Sequence, residues 1–149
     1  MPPLELAELL GVEHPLIQAP MAAATTPALA GAVAAAGALG SLGCAMLEPA
    51  AVEQQVAETR GMGERPLNVN FFANQPGSVD PARDELAREL VEPFYAELGL
   101  GPVPDPGGIT AHFDEAMLET VLRLKPEVVS FHFGLPNADM VDALHDVGS

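Results

Sequence analysis

Apolar positions along the chain switch repeatedly between the short, extended runs of strands and the three-and-four spacing of helices. Residues 16–21, Leu-Ile-Gln-Ala-Pro-Met, form a first short apolar run that reads as a strand. Thr26-Pro27 then supplies an N-cap and a first-turn proline for a helix over 27–36. That helix is apolar all round, with Leu29 and Val33 among alanines, and Gly37 stands where a left-handed stop belongs. A second short strand is expected over 38–43. Glu48-Pro49 opens the next helix, with Val52 and Val56 on one face and Glu53, Gln54 and Gln55 on the other, ending before Gly61. The run 66–72, Pro-Leu-Asn-Val-Asn-Phe-Phe, has the composition of a buried strand.

The rhythm then breaks. Residues 73–109 contain Pro76, Pro81, Pro93, Pro102, Pro104 and Pro106, together with a helix beginning at Asp80-Pro81. In that helix Ala82, Leu86 and Leu90 recur every four residues, so the segment reads as a helical insertion at about 74–110 lying over the main body, with 99–108 as the connection back. A helix beginning near Phe113 carries Met117, Val121 and Leu124 as a stripe, widened by Leu118 and Leu122, and Pro126 stops it. Residues 127–134 form another strand, and Pro136-Asn137 opens a helix with Met140, Val141 and Leu144. Strands alternating with helices of this length imply a parallel sheet, and the fold class is α/β. Two architectures compete within it. A doubly wound sheet closes within 149 residues, whereas a (β/α)8 barrel needs about 250 and would leave only its first four βα units here. The final Val147-Gly148-Ser149 resembles a helix stop with nothing after it and favours the second.

Charge narrows the chemistry. Six Lys+Arg against 21 Asp+Glu give a formal charge of −15, so nucleic acid and anionic membrane surfaces are poor partners. The 48% hydrophobic content is that of a folding chain, and small-molecule chemistry is the better expectation. The longest apolar stretch, 28–42, falls short of the about 18 residues that a membrane span needs, and the N-terminus lacks the basic and apolar regions of a signal peptide. The chain reads as cytoplasmic. Cys44 is the only cysteine, which excludes an internal disulfide; a buried small hydrophobe is a simpler role for it than a nucleophile. His14, His112 and His145 show no metal-ligand spacing, and no metal is expected.

In parallel α/β folds ligands collect at the carboxyl ends of the strands. Three strand ends here carry unusual residues. The first closes in Gln18-Ala19-Pro20-Met21, where a proline fixes the backbone beside small residues and leaves room for a flat ligand. The third places Asn68 and Asn70 on one side and Val69 and Phe71 on the other; the fourth places Ser130 and His132 on one side and Phe131 and Phe133 on the other. Each has a plainer reading: Pro20-Met21 as terminator and core filler, Asn70 as a turn cap, His132 as a satisfied core residue. Their coincidence at one end of the sheet favours a site. Imidazole titrates near neutrality, and enclosure of His132 by Phe131, Phe133 and a closed pocket would keep it a free base. Glu48 and Asp139, rival bases, are more simply helix-start residues.

The stretches 14–21 (His-Pro-Leu-Ile-Gln-Ala-Pro-Met), 68–72 (Asn-Val-Asn-Phe-Phe) and 130–136 (Ser-Phe-His-Phe-Gly-Leu-Pro) resemble, in order and spacing, successive motifs of the nitronate monooxygenases, formerly 2-nitropropane dioxygenases. The first motif is shared with flavin-dependent enoyl reductases; the third is more specific and carries the family's histidine. The resemblance implies a TIM (β/α)8 barrel binding FMN non-covalently and oxidising alkyl nitronates, and in many members nitroalkanes, with molecular oxygen. It further implies that Pro20 and Met21 pack or hydrogen-bond through their backbone along the isoalloxazine, that Asn70 bonds to the flavin and that His132 removes the α-proton of a neutral nitroalkane.

By the same resemblance, residues 1–149 form the N-terminal part of a single FMN-binding domain, and the loops that hold the FMN phosphate belong to later strands. An open half-barrel exposes strand edges, which predicts a homo-oligomer or completion by another chain. Two other readings remain open: another FMN-dependent barrel oxidoreductase, such as an enoyl or quinone reductase, and an inactive truncated chain.

Overall fold

The computed structural model of the protein describes residues 3–74, 80–105 and 113–149. In chain order the elements are α1 (Pro3–Leu10), α2 (Pro27–Ala35), β1 (Gly40–Gly43), α3 (Pro49–Arg60), β2 (Leu67–Phe72), α4 (Pro81–Leu98), α5 (Glu115–Leu124), β3 (Val128–His132) and α6 (Ala138–Asp146). The strands form a parallel sheet in the order β1-β2-β3, with Ser41 beside Asn68 and Asn70 beside Ser130. The chain divides into two compact units, Met1–Asn74 with Ala111–Ser149, and Gln75–Thr110. Among the described residues no helix is long and apolar enough to cross a membrane.

In the larger unit the period-two alternation sorts the sheet into two chemistries. Leu42, Leu67, Val69 and Phe71 point to the helices and pack with Val52 and Val56 of α3, Met117 and Val121 of α5, and Leu144 of α6. Phe113 wedges between Phe71 and Phe131, with ring centroids 5.0 Å from each. Such aromatic pairing adds about 0.5–1.5 kcal/mol beyond the area buried. The other face carries Ser41, Asn68, Asn70, Ser130 and His132. Asn68 donates from Nδ2 to Ser41 Oγ at 3.0 Å, while its buried Oδ1 has no partner among the described residues. Helix α2 lies directly on β1: a Cβ built on Gly40 would sit 2.2 Å from the carbonyl oxygen of Ala30, so this contact exists because residue 40 has no side chain.

At the amino end of the sheet Arg60 donates to the carbonyls of Leu124 (2.7 Å) and Lys125 (3.0 Å), the last groups of α5. A cation there complements the negative end of the helix dipole. Arg60 also lies 3.8 Å from Glu127, whose other oxygen accepts from Leu67 N–H at 3.0 Å. One guanidinium thus ties α3 to α5 and, through Glu127, to the start of β2.

The expected strand over 16–21 is reduced to a single parallel bridge, Ile17 with Leu39. Pro15 and Pro20 bracket it without backbone N–H groups. The Gln18 side chain replaces the next rung: its Oε1 accepts from Ser41 N–H at 3.2 Å and its Nε2 donates to Ser41 carbonyl O at 3.2 Å. Other elements agree with the pattern to within a residue or two at their ends, including the Thr26 cap and Gly37 at φ +86°. Helix α1 is an addition. Its half-buried Leu6 and Leu10 and buried Ala7 form one turn-spaced stripe, closed by Gly11, too short to stand out as a periodic segment.

In the smaller unit Asp80 caps α4 by accepting from Ala82 and Arg83 N–H, and the helix runs through Pro93 to Gly99. The expected stripe is corrected here. Leu86 and Leu90 are exposed, and the face that meets the returning chain is Ala87, Arg88 and Val91, around a small apolar recess shared with Val103 and Pro104. Arg88 decides this orientation, donating to Val103 carbonyl O at 2.9 Å and pairing with Asp105 at 2.7 Å. Residues 106–108 of the expected connection lie outside the described residues.

Cys44, fully buried behind β1, has its thiol pushed up to about 12 by burial, partly opposed by a backbone hydrogen bond with Asn70. The native thiol keeps its proton where the unfolded one loses it. Stability is therefore fully present below pH 9 and falls as pH rises from there towards 12, by about 1.4 kcal/mol per pH unit. Urea unfolding at stepped pH should show this decline, and Cys44→Ala should flatten it. In the same assay Gly40→Ala should cost about 3 kcal/mol, because backbone meets backbone at that contact and no side chain can yield.

Candidate functional site

The site is built where β2 and β3 end. Asn70 and Ser130 are register partners, and His132 is two residues further on the same face of the edge strand. The Asn70 side chain, 3% exposed, donates from Nδ2 to Ser130 carbonyl O at 3.0 Å and to Ser130 Oγ at 2.8 Å. Its Oδ1 lies 3.0 Å from His132 Nδ1. Phe72, also on this face, sets its ring nearly perpendicular to the imidazole, with centroids 6.2 Å apart. The Ala73 N–H donates to His132 carbonyl O at 2.9 Å, which continues the β2–β3 pairing to the position where the side chains leave the sheet.

The expected enclosure of His132 by its aromatic neighbours does not occur. Alternation turns Phe131 to the opposite face, into the Phe71–Phe113 cluster. Phe133 adopts φ +66° and is 72% exposed. His132 itself is exposed at the strand end, held by a hydrogen bond rather than by burial.

Pro20 and Met21 lie beside the end of β1, where a Cβ on Gly43 would come within 2.8 Å of the Met21 carbonyl carbon and of Ala22 N. Gly43 therefore admits the 19–22 backbone onto the sheet end. The Met21 N–H donates to Thr25 Oγ1 at 3.0 Å, and its carbonyl accepts from Ala24 and Thr25 N–H. With those groups engaged, Met21 offers a ligand its exposed side chain. Ala23 (φ +59°) and Phe133 are two of the three described non-glycine residues in the left-handed region. Such conformations cost about 1–3 kcal/mol and cluster where ligands are held.

The ends of β2 and β3 thus bring His132, Asn70 and Ser130 together, while Pro20 and Met21 stand at the end of β1, and Met46 and Leu135 are exposed in the strand-end loops. Glu48 caps α3 without a side-chain bond and Asp139 sits in the first turn of α6, as helix-start residues. Among the described residues no three His, Cys, Asp or Glu form a metal-sized group. Sequence reasoning missed two contributors. Gln18 and Thr25 tie the 18–25 turn together through Gln18 Nε2 to Thr25 Oγ1 at 3.2 Å, a pairing seven residues apart that no periodicity announces.

Comparison with known proteins finds relatives that match over nearly the whole chain. The chain is 41% identical over 145 residues to a nitronate monooxygenase of Paraburkholderia phytofirmans, covering 96% of this chain and 40% of that one. It is 42% identical over 142 residues to a nitronate monooxygenase of Pseudomonas aeruginosa, covering 94% and 40%. The nitroalkane oxidase structure from Streptomyces ansochromogenes superposes with a TM-score of 0.83 at 31% identity, over 97% of this chain and 40% of that one. The chain therefore spans about 40% of the length of these relatives. The family model for nitronate monooxygenase matches residues 4–149, which takes in every side chain of the strand-end site, and the chain belongs to that family.

Proposed function

We propose that this chain forms the first βα units of a (β/α)8 barrel that oxidises alkyl nitronates, and neutral nitroalkanes, with molecular oxygen, using FMN. The observation that carries the reading is the His132–Asn70–Ser130 group at the carboxyl end of a parallel sheet, within a chain matched to the family over 4–149. The superposition on the nitroalkane oxidase supports the barrel, with the 16–21 segment standing as its first, abbreviated strand.

The residues fit the ring system of a flavin. Exposed Met21 and half-buried Pro20 with Ala19 and Ala22 beside them offer small and apolar groups for a flat ligand. The buried Asn74 Oδ1, following β2, is an acceptor without a partner among the described residues. Asn70 has both amide hydrogens engaged by Ser130, so it can meet a ring N–H only through the remaining lone pair of Oδ1. The phosphate is a different matter. Three of the six basic residues are occupied elsewhere: Arg60 on α5, Arg88 on Asp105 and Arg123 on Glu53.

A bound flavin supplies electron acceptance and reactivity towards oxygen. The chain supplies proton handling: His132, at the open end of the sheet, accepts the α-proton of a neutral nitroalkane. A nitronate has already lost that proton, and towards it the same imidazole acts by binding and orientation.

In flavin-loaded enzyme His132→Asn should lower oxygen consumption with nitroethane by roughly 10²–10⁴-fold and with ethylnitronate much less. Equal losses on both substrates would remove proton abstraction from its role. Titrated into the chain itself, riboflavin and FMN should quench their fluorescence saturably with dissociation constants within about threefold of each other, since the groups present address the ring. A strong preference for FMN would place a phosphate site within these residues, and the absence of quenching by either would overturn the flavin assignment.

A further inference from the structure

The hydrogen bonds of Asn70 fix more than its own position. A backbone carbonyl oxygen only accepts, so the Asn70 atom 3.0 Å from Ser130 O must be the amide nitrogen, and the amide oxygen must face His132. An amide oxygen also only accepts. The imidazole atom opposite it, Nδ1, must therefore carry a proton. A neutral imidazole carries one proton on its two nitrogens, which leaves the lone pair on Nε2.

We propose that Asn70 is the positioning residue that holds neutral His132 as its Nδ1–H tautomer, making Nε2 the atom that accepts the substrate proton. The inference rests on His132 acting as the base, while the tautomer itself can be measured without any turnover.

Three features give the device its strength. Asn70 is buried, so water does not compete for Oδ1. Ser130 supplies two acceptors to one NH2 group, at 3.0 and 2.8 Å, so the amide cannot turn over without losing both bonds. Phe72 flanks the imidazole, its ring nearly perpendicular to it with centroids 6.2 Å apart. Free histidine side chains in water favour the opposite tautomer, with the proton on Nε2 and the lone pair turned back towards the backbone. Asn70 reverses that preference. Because the acceptor is a neutral amide, the Nδ1–H bond persists when Nε2 takes up a proton, and the surroundings need not rearrange during transfer.

The tautomer is read by long-range ¹⁵N–¹H correlation NMR of the chain labelled at histidine, at a pH where imidazole is neutral. The His132 signals are identified by their loss in His132→Gln. In the unsubstituted chain Nδ1 should show the protonated, pyrrole-type shift and Nε2 the unprotonated, pyridine-type shift. Asn70→Leu, which keeps most of the volume and removes the acceptor, and Asn70→Ala should both restore the Nε2–H pattern of free histidine. Asn70→Asp should retain Nδ1–H, since a carboxylate oxygen accepts the same proton. An Nε2–H pattern in the unsubstituted chain, or an Nδ1–H pattern that survives Asn70→Leu, would overturn the proposal. Failure of flavin to bind while the tautomer is as stated would instead count against the flavin-dependent function.

Discussion

The central strand β2 holds two chemistries on opposite faces, and its register with β1 and β3 decides where both go. Leu67, Val69 and Phe71 carry the hydrophobic core, while Asn68 and Asn70 are buried amides that need partners. The parallel pairing supplies partners to both NH2 groups: Ser41 beside Asn68 and Ser130 beside Asn70. A buried amide left unpaired costs about 1–3 kcal/mol, so the polar face is a constraint on the fold as much as a source of chemistry. His132 inherits its place from this arrangement, two residues beyond Ser130 at the point where the sheet ends.

Much of the fold was legible in the sequence because local signals and tertiary context agree. Thr26-Pro27, Asp80-Pro81 and the apolar runs 66–72 and 127–134 each specify one element, and the structure contains them. The alternation of Asn68, Asn70, Ser130 and His132 was equally readable, since a strand allows a side chain only two faces. What escaped was decided by partners distant in sequence. Gln18 replaces a ladder rung through its side chain, Arg88 turns α4 by bonding to Val103 and Asp105, and Phe133 leaves the sheet through a left-handed residue. None of these is a periodicity. The enclosure of His132 was misjudged for a related reason: Phe131 turns to the opposite face, and Phe133, with its ring centroid 6.2 Å from the imidazole, is itself exposed and closes nothing over it.

The site is also notable for its neutrality within a chain of formal charge −15. The groups that meet His132 are the Asn70 amide and the Phe72 ring, and the amide is held in turn by the hydroxyl and carbonyl of Ser130. Neutral partners orient an imidazole without the strong attraction for its cation that a carboxylate would exert. The residues that position the imidazole thus bring no fixed negative charge against it.

The shared register of core and site has an evolutionary consequence. A one-residue insertion or deletion within β2 would exchange its two faces, driving Asn68 and Asn70 among the helices and Val69 and Phe71 out of them. The lesion would remove the hydrophobic core and the histidine's anchor in a single step, so no lineage can drift towards a weakened site by way of a shifted strand. The changes this strand can absorb with both faces intact are side-chain replacements at fixed length, since the spacing between Asn70 and the sheet's apolar residues belongs to the fold itself.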